Sequence, residues 1–251
     1  MGKIIAVVNQ KGGVGKTTTA VNLTAALTEA GKKVLLCDFD PQANATSGLG
    51  IDKRKIHKSI YDVVVNGTDA DSAIQKTKFG DVLPSSADLA GAAVELISME
   101  DPNYRLRNAL SAVKDRYDII LIDCPPSLEM LTVNGLAAAD GILVPVQCEY
   151  FALEGLADLM TTLRLMKKRI NPNLEIFGVA LTMFDGRTNF STQVAQEVRH
   201  HFPGKVFATV IPRNVRLAEA PSHGLPVTAY DRHSRGAQAY KAMTEELIKR
   251  L

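Results

Sequence analysis

Lys11-Gly12-Gly13-Val14-Gly15-Lys16-Thr17-Thr18 gathers two ammonium groups, three glycines and two hydroxyls within eight residues. That set suits a phosphate chain: glycines free backbone N–H groups, a lysine supplies charge, and a Thr hydroxyl can reach the magnesium that accompanies a nucleoside triphosphate. Lys16 and the backbone of Gly12, Gly13, Val14 and Gly15 are the expected phosphate ligands, with Thr17 on the metal and Thr18 beside it. The usual pattern has glycine six positions before the lysine, where Gln10 stands, and an extra lysine, Lys11, precedes the glycine pair.

Two further sets of residues extend this chemistry. Asp123, at the end of the apolar run Ile119 to Ile122 and followed by Cys124-Pro125-Pro126, is placed to hold magnesium, usually through a water. Asp38 and Asp40, in Asp38-Phe39-Asp40-Pro41-Gln42, allow two readings. One is turn and capping chemistry. The other is a switch, with one carboxylate near the metal and one orienting the water that attacks the γ-phosphate.

These residues need a scaffold that brings strand ends together. The apolar, β-branched runs Ile4 to Val8, Val34 to Cys37, Ile119 to Ile122, Ile142 to Val146 and Ile176 to Leu181 read as strands buried on both faces. Helical spacing fills the gaps at Thr19 to Ala30, Arg105 to Val113, Leu128 to Ala139 and Leu153 to Ile170. The fold class expected is α/β, a doubly wound, mostly parallel sheet with helices on both faces. Ligands of such sheets bind beyond the carboxyl ends of the strands, so the glycine loop, Asp38 to Asn44, Asp123 to Ser127 and Arg213 to Arg216 should converge. Residues 50 to 103 are less regular, with a short strand near Val82-Leu83 and an Ala-rich helix near Leu89 to Ile97. The last segment, Gly236 to Leu251, reads as an amphipathic helix with mixed charge on its polar face, which favours docking on the core over a membrane surface.

Length and composition agree with one domain over residues 1 to 251. Apolar content is 46% and charged content 22%, with no linker-like stretch between segments. No apolar run approaches the roughly 18 residues of a membrane span, and no signal-peptide layout precedes the first strand, so a cytoplasmic protein is expected. Cys37, Cys124 and Cys148 lack metal-ligand spacing and read as small buried hydrophobes. Net charge is +2, but residues 1 to 150 carry 15 basic and 18 acidic side chains, against 14 and 9 in residues 151 to 251. The basic C-terminal part hints at an anionic partner.

Lys11 to Thr18, Asp38 to Gln42, Asp123-Cys124-Pro125-Pro126-Ser127, Pro145-Val146-Gln147 and Ile211-Pro212-Arg213-Asn214-Val215-Arg216-Leu217 together resemble the ParA family of deviant-P-loop ATPases. The likeness runs from residue 3 to about residue 240. It implies an ATP and Mg²⁺ site in which Lys11 reaches the nucleotide of a second subunit, Asp40 positions the attacking water, Asp38 and Asp123 lie near the metal, and Pro212 and Asn214 border the adenine. It implies an ATP-bound homodimer, non-specific binding of double-stranded DNA, a ParB-type centromere-binding partner that stimulates slow hydrolysis, association with the nucleoid and no membrane. The N-terminal helix-turn-helix of larger plasmid relatives is not expected, and Ala43 stands where relatives often carry glycine.

For the DNA surface, Arg187, Arg213 and Arg216 come first, with Arg235 and Lys205 behind them; each arginine has a plainer reading as a surface ion-pair partner. Two other functions are weighed. A MinD-like, membrane-associated positioning ATPase would act through its C-terminal helix. A ligase or reductase on the same scaffold would need an organic substrate or cluster-holding cysteines.

Overall fold

The computed structural model describes residues 2–127, 129–149 and 152–251, with the backbone alone at 152–154. Seven strands form one sheet: β1 (Lys3–Val7), β2 (Val34–Asp38), β3 (Gln75–Thr77), β4 (Gly80–Leu83), β5 (Ile119–Asp123), β6 (Gly141–Gln147) and β7 (Glu175–Thr182). Their order is β3-β4-β2-β5-β1-β6-β7, parallel throughout except that β3 pairs antiparallel with β4 at one edge. Twelve helices are assigned among the described residues: α1 (Lys16–Glu29), α2 (Asn44–Gly48), α3 (Ile60–Val64), α4 (Ala70–Ala73), α5 (Leu89–Glu95), α6 (Arg105–Ser111), α7 (Met130–Ala138), α8 (Ala152–Arg169), α9 (Asn189–His201), α10 (Val215–Glu219), α11 (Val227–Tyr230) and α12 (Arg235–Arg250). The doubly wound arrangement expected from the sequence is present. Of the expected helix Leu128 to Ala139, the first residue lies outside the described residues, as does the side chain of Leu153 in the next helix.

Side chains alternate across a strand, and both sets are apolar here. Ile4, Ala6, Leu35, Cys37, Ile120 and Ile122 face one core, packed by helices such as α3, α6 and α7. Ile5, Val7, Val34, Leu36, Ile119 and Leu121 face the other, packed by α1 and α12. A sheet covered on both sides selects the continuous apolar runs seen in the sequence.

The alternation also fixes the chemistry. Asp38 ends β2, Asp123 ends β5, and the two stand opposite each other in the ladder. Both follow the alternation onto the α1 face, so two carboxylates lie side by side at the carboxyl end of the sheet, below the start of α1.

On that same face α12 buries Ala237, Tyr240, Met243 and Leu247, and the Tyr240 hydroxyl shares a hydrogen bond with Thr19 Oγ1 of α1 at 3.1 Å. The C-terminal helix is therefore a core element. Beyond β7, residues 205–211 run alongside the strand, exchanging hydrogen bonds between Val179 and both Lys205 and Phe207 and between Ile211 and Leu181. They cover an edge that would otherwise present unpaired backbone groups.

Behind Asp123 the packing leaves no slack. A Cβ at Gly135 of α7 would lie 2.8 Å from Cys124 Sγ. Gly135→Ala is expected to cost about 1–3 kcal/mol by overpacking, a fall in Tm of about 2–10 °C. Adding Cys124→Ala should recover part of that loss, because the colliding atom is gone. Equal melting temperatures for the wild type and Gly135→Ala would contradict the packing.

Candidate nucleotide site

The loop between β1 and α1 is shaped by glycines with different tasks. Gly13 (φ 75) and Gly15 (φ 89) adopt left-handed backbone that an L side chain resists. A Cβ at Gly12 or Gly13 would meet nothing within 4 Å, so the hollow above the loop is open. Gly15 is the N-cap of α1, no side chain caps the helix, and its first turn holds no acid. The uncapped N–H groups and the positive end of the helix point into that hollow, an arrangement that fits a phosphate.

Residues distant in sequence hold the loop. Asn9 accepts from Lys11 N at 3.0 Å and donates to Pro145 O at 2.7 Å, tying the loop entry to β6. Thr182 Oγ1, at the end of β7, donates to Val14 O at 2.8 Å. Lys16 Nζ donates to Lys11 O at 3.1 Å, and the side chain is only 7% exposed. Burial lowers the Lys16 pKa, while Asp123, Asp40 and Cys124 pull it back up.

The two strand-end acids differ in how they are satisfied. Asp38 Oδ2 accepts from Thr46 N at 2.7 Å and Thr46 Oγ1 at 2.6 Å, and Asp38 Oδ1 accepts from Asp40 N at 3.3 Å. Burial nonetheless pushes its pKa up to about 6, the Thr46 bonds opposing the shift and the Asp40 charge adding to it. Asp123 is fully buried, and neither carboxylate oxygen has a partner with regular hydrogen-bond geometry, although the Thr17 hydroxyl lies beside it. Its pKa is well above the ordinary carboxylate value, first because of burial and then because of the neighbouring Asp38 charge; Thr17 and Lys16 oppose the shift. A buried, unpartnered carboxylate is costly unless something pairs with it.

That orphan acid beside a Thr hydroxyl and a buried lysine fits a magnesium ion. Among the described residues no group of three or more His, Cys, Asp and Glu side chains is placed to hold a metal on its own. Magnesium suits such a site, because it takes one or two protein ligands and fills the rest of its shell with phosphate oxygens and water.

Asp40 lies close enough to Lys16 and Asp123 to shift both. Its Oδ1 accepts from Gln42 N at 2.9 Å, so the turn chemistry read as one alternative in the sequence is present here. Next in the turn, Ala43 is left-handed at φ 51, ψ 37 and caps α2. Position 43 therefore does require positive φ, at a cost of roughly 1–2 kcal/mol for a residue with a Cβ.

Pro212 and Asn214 border a cleft of about 200 Å³ together with Gly15, Thr18, Met183 and Tyr240. Asn214 Oδ1 accepts from Arg216 N at 3.0 Å and so caps α10, its amide NH₂ remaining for a ligand. The cleft opens beside the glycine loop and fits a planar base next to the phosphates.

The basic residues divide. Arg187 pairs with Asp185 at 2.7 Å, and Arg213 lies near the same acid while pairing with Glu149 at 3.4 Å. Arg216 pairs with Glu219 at 2.7 Å and Asp231 at 3.4 Å. Arg235 starts α12 next to Gly236, which packs on Leu217 of α10. Lys205 does not join them: it lines a cleft with Lys3, Asp140 and Glu175 at the amino ends of β1, β6 and β7, the other end of the sheet.

Asn9, Thr46 and Thr182 support the site without any mark in the sequence. Each acts through a partner fixed only by the fold, and no local spacing marks them.

The raised Asp123 pKa has a definite sign. The folded state holds the proton more tightly than the unfolded state, so the penalty is absent below the ordinary carboxylate range and grows as pH rises toward the raised value. Ligand-free Asp123→Asn is expected to melt about 3 °C or more above the wild type at pH 7.5, with the gap closing toward pH 4. A lower Tm for the variant at pH 7.5, or a gap independent of pH, would show that the carboxylate is not strained.

A family model described as an AAA domain matches residues 2–176. The chain is 55% identical over 249 residues to the sporulation initiation inhibitor protein Soj of Bacillus subtilis, covering 98% of each. It is 50% identical over 252 residues to the chromosome partitioning protein ParA of Myxococcus xanthus, covering 100% of this chain and 89% of that one. Cobyrinic acid a,c-diamide synthase from Mycobacterium smegmatis, solved with bound ADP and magnesium, superposes with a TM-score of 0.87 at 37% identity over 99% of this chain and 95% of that one. With its lysine-glycine loop, paired strand-end acids and full-length identity to these proteins, the chain belongs to the ParA/Soj family of P-loop ATPases.

Proposed function

We propose that this chain is an ATP-hydrolysing partition protein. Two copies would clamp two ATP molecules face to face, the dimer would bind double-stranded DNA without sequence preference, and hydrolysis stimulated by a ParB-type partner would release it at the nucleoid. The observation that carries the ATPase reading is the buried Asp123 carboxylate, left unpartnered between Thr17 and Lys16 below an uncapped helix start. The names of the Soj and ParA relatives, at 50–55% identity along nearly the whole chain, support the partition role.

In this reading ATP lies with its base against Pro212 and Asn214 and its phosphates over Gly12 to Lys16. The magnesium ion, held by Thr17 and, directly or through water, by Asp123 and Asp38, would neutralise charge on the β- and γ-phosphates. Lys16, desolvated by its surroundings, places one positive charge where the transferring phosphoryl group builds negative charge. Asp40 would accept a hydrogen bond from the attacking water and so orient it. Lys11 completes the neighbouring subunit's site.

Arg187, Arg213, Arg216 and Arg235 form the proposed DNA face, with Lys205 outside it. Every ion pair at Arg187, Arg213 and Arg216 is at the surface, where such a pair is worth about 0–1 kcal/mol, so phosphate can displace the acid. The buried apolar face of α12 favours DNA over a lipid surface as the anionic partner. No helix among the described residues is long and apolar enough to cross a membrane.

Lys16→Ala is expected to abolish ATP binding measured by calorimetry; unchanged affinity would remove the P-loop assignment. Asp40→Ala should bind ATP and DNA but lose turnover, and full ATPase activity in that variant would take Asp40 out of its role. DNA affinity should fall steeply with salt, because phosphate contacts release counterions. A complex with plasmid DNA that is indifferent to salt between 50 and 200 mM would contradict the arginine face.

A further inference from the structure

Lys53 follows Asp52, the N-cap of a 3-10 turn over Lys53–Lys55. Its Nζ donates to Gln42 O at 2.6 Å and to Asn44 Oδ1 at 3.3 Å. These two acceptors flank Ala43, the residue held in left-handed backbone. The same turn carries Asp40, whose Oδ1 accepts from Gln42 N and whose carbonyl accepts from Ala43 N. A single ammonium therefore grips both sides of the strained residue, and Gln42 links that grip to the Asp40 carboxylate.

The anchor itself is secured. Ile51 N donates to Thr46 O, and Asp52 accepts from Arg54 N, so the backbone before and after Lys53 is tied to the middle of α2 and to its own turn. Neither cleft beside the glycine loop includes Lys53 in its walls. Its influence on chemistry must pass through the turn.

We propose that Lys53 is a positioning residue for ATP hydrolysis, its ammonium holding the Asp40-Pro41-Gln42-Ala43 turn in the conformation that presents Asp40 to the P-loop against the left-handed strain at Ala43. Because the inference rests on Asp40 as the water-orienting group, its test separates the two claims. Without the ammonium, Ala43 relaxes toward ordinary backbone, Gln42 turns away, and the Asp40 carboxylate leaves its place beside Lys16. Glycine at position 43 would feel no such strain, so the turn would then depend less on the clamp.

The experiment is steady-state ATPase kinetics and ATP binding on the full chain with plasmid DNA present, for the wild type, Lys53→Ala, Lys53→Arg, Ala43→Gly, the Lys53→Ala/Ala43→Gly double variant and Asp40→Ala. Lys53→Ala should lower kcat about tenfold, the factor that corresponds to one lost charge-assisted hydrogen bond, with the ATP Kd within about twofold. Lys53→Arg should recover most of the rate, and in the Ala43→Gly background the loss should shrink to about threefold or less, since the two residues act on one turn. A kcat for Lys53→Ala within about twofold of the wild type while Asp40→Ala is inactive would overturn this proposal alone. Equal losses in both backgrounds, or kcat and ATP affinity falling together, would overturn it as well. Full turnover by Asp40→Ala would remove both the Asp40 role and the clamp that depends on it.

Discussion

The Asp123 carboxylate sets the terms for the rest of the molecule. It ends the middle strand of a seven-stranded sheet, fully buried, with a second carboxylate in register on the next strand and no regular hydrogen bond of its own. Left to itself such a group is destabilising, and the fold supplies only partial relief through Thr17 and Lys16. A hydrated divalent cation bridging to phosphates would supply the missing countercharge, so the ligand-free protein carries strain that its ligand relieves. The apolar layers on both faces of the sheet provide the stability against which that strain is held.

Asp38, next to it, solves the same problem differently. Its Oδ2 is taken by Thr46, which ties the end of β2 to α2. The two acids thus differ: Asp123 has no regular partner in the protein, while Asp38 also fastens the segment that bears Asp40. Between these anchors sits Ala43 in left-handed backbone, so the segment is fixed at its ends and strained in its middle. In a segment held this way, modest differences in contact energy can decide between two arrangements.

Much of this was legible in the sequence, for physical reasons that differ by residue. The glycine loop and the strand-end acids could be read because each lies directly after a β-branched run, and a parallel sheet brings all such ends to one side. β3 escaped notice because Gln75–Thr77 is short, polar and at the sheet edge, where no burial pattern marks it. The strip at residues 205–211 escaped because its pairing with β7 depends on backbone alone. The supports of the loop were out of reach for another reason: Thr182 and Val14 are 168 positions apart, and only the fold makes them neighbours. Charge was the least informative signal. It grouped Lys205 with the arginines, whereas the chain places that lysine at the opposite end of the sheet.

The binding hollow, the orphan carboxylate and the base cleft together describe a site for a magnesium-bound nucleoside triphosphate. The most direct test is a calorimetric titration of the full chain with ATP, once with excess Mg²⁺ and once with the metal chelated. The account predicts saturable binding that weakens about tenfold or more without the metal, since a buried carboxylate and a triphosphate would then face each other uncompensated. Binding of equal strength in both conditions, or no binding with Mg²⁺ present, would contradict it.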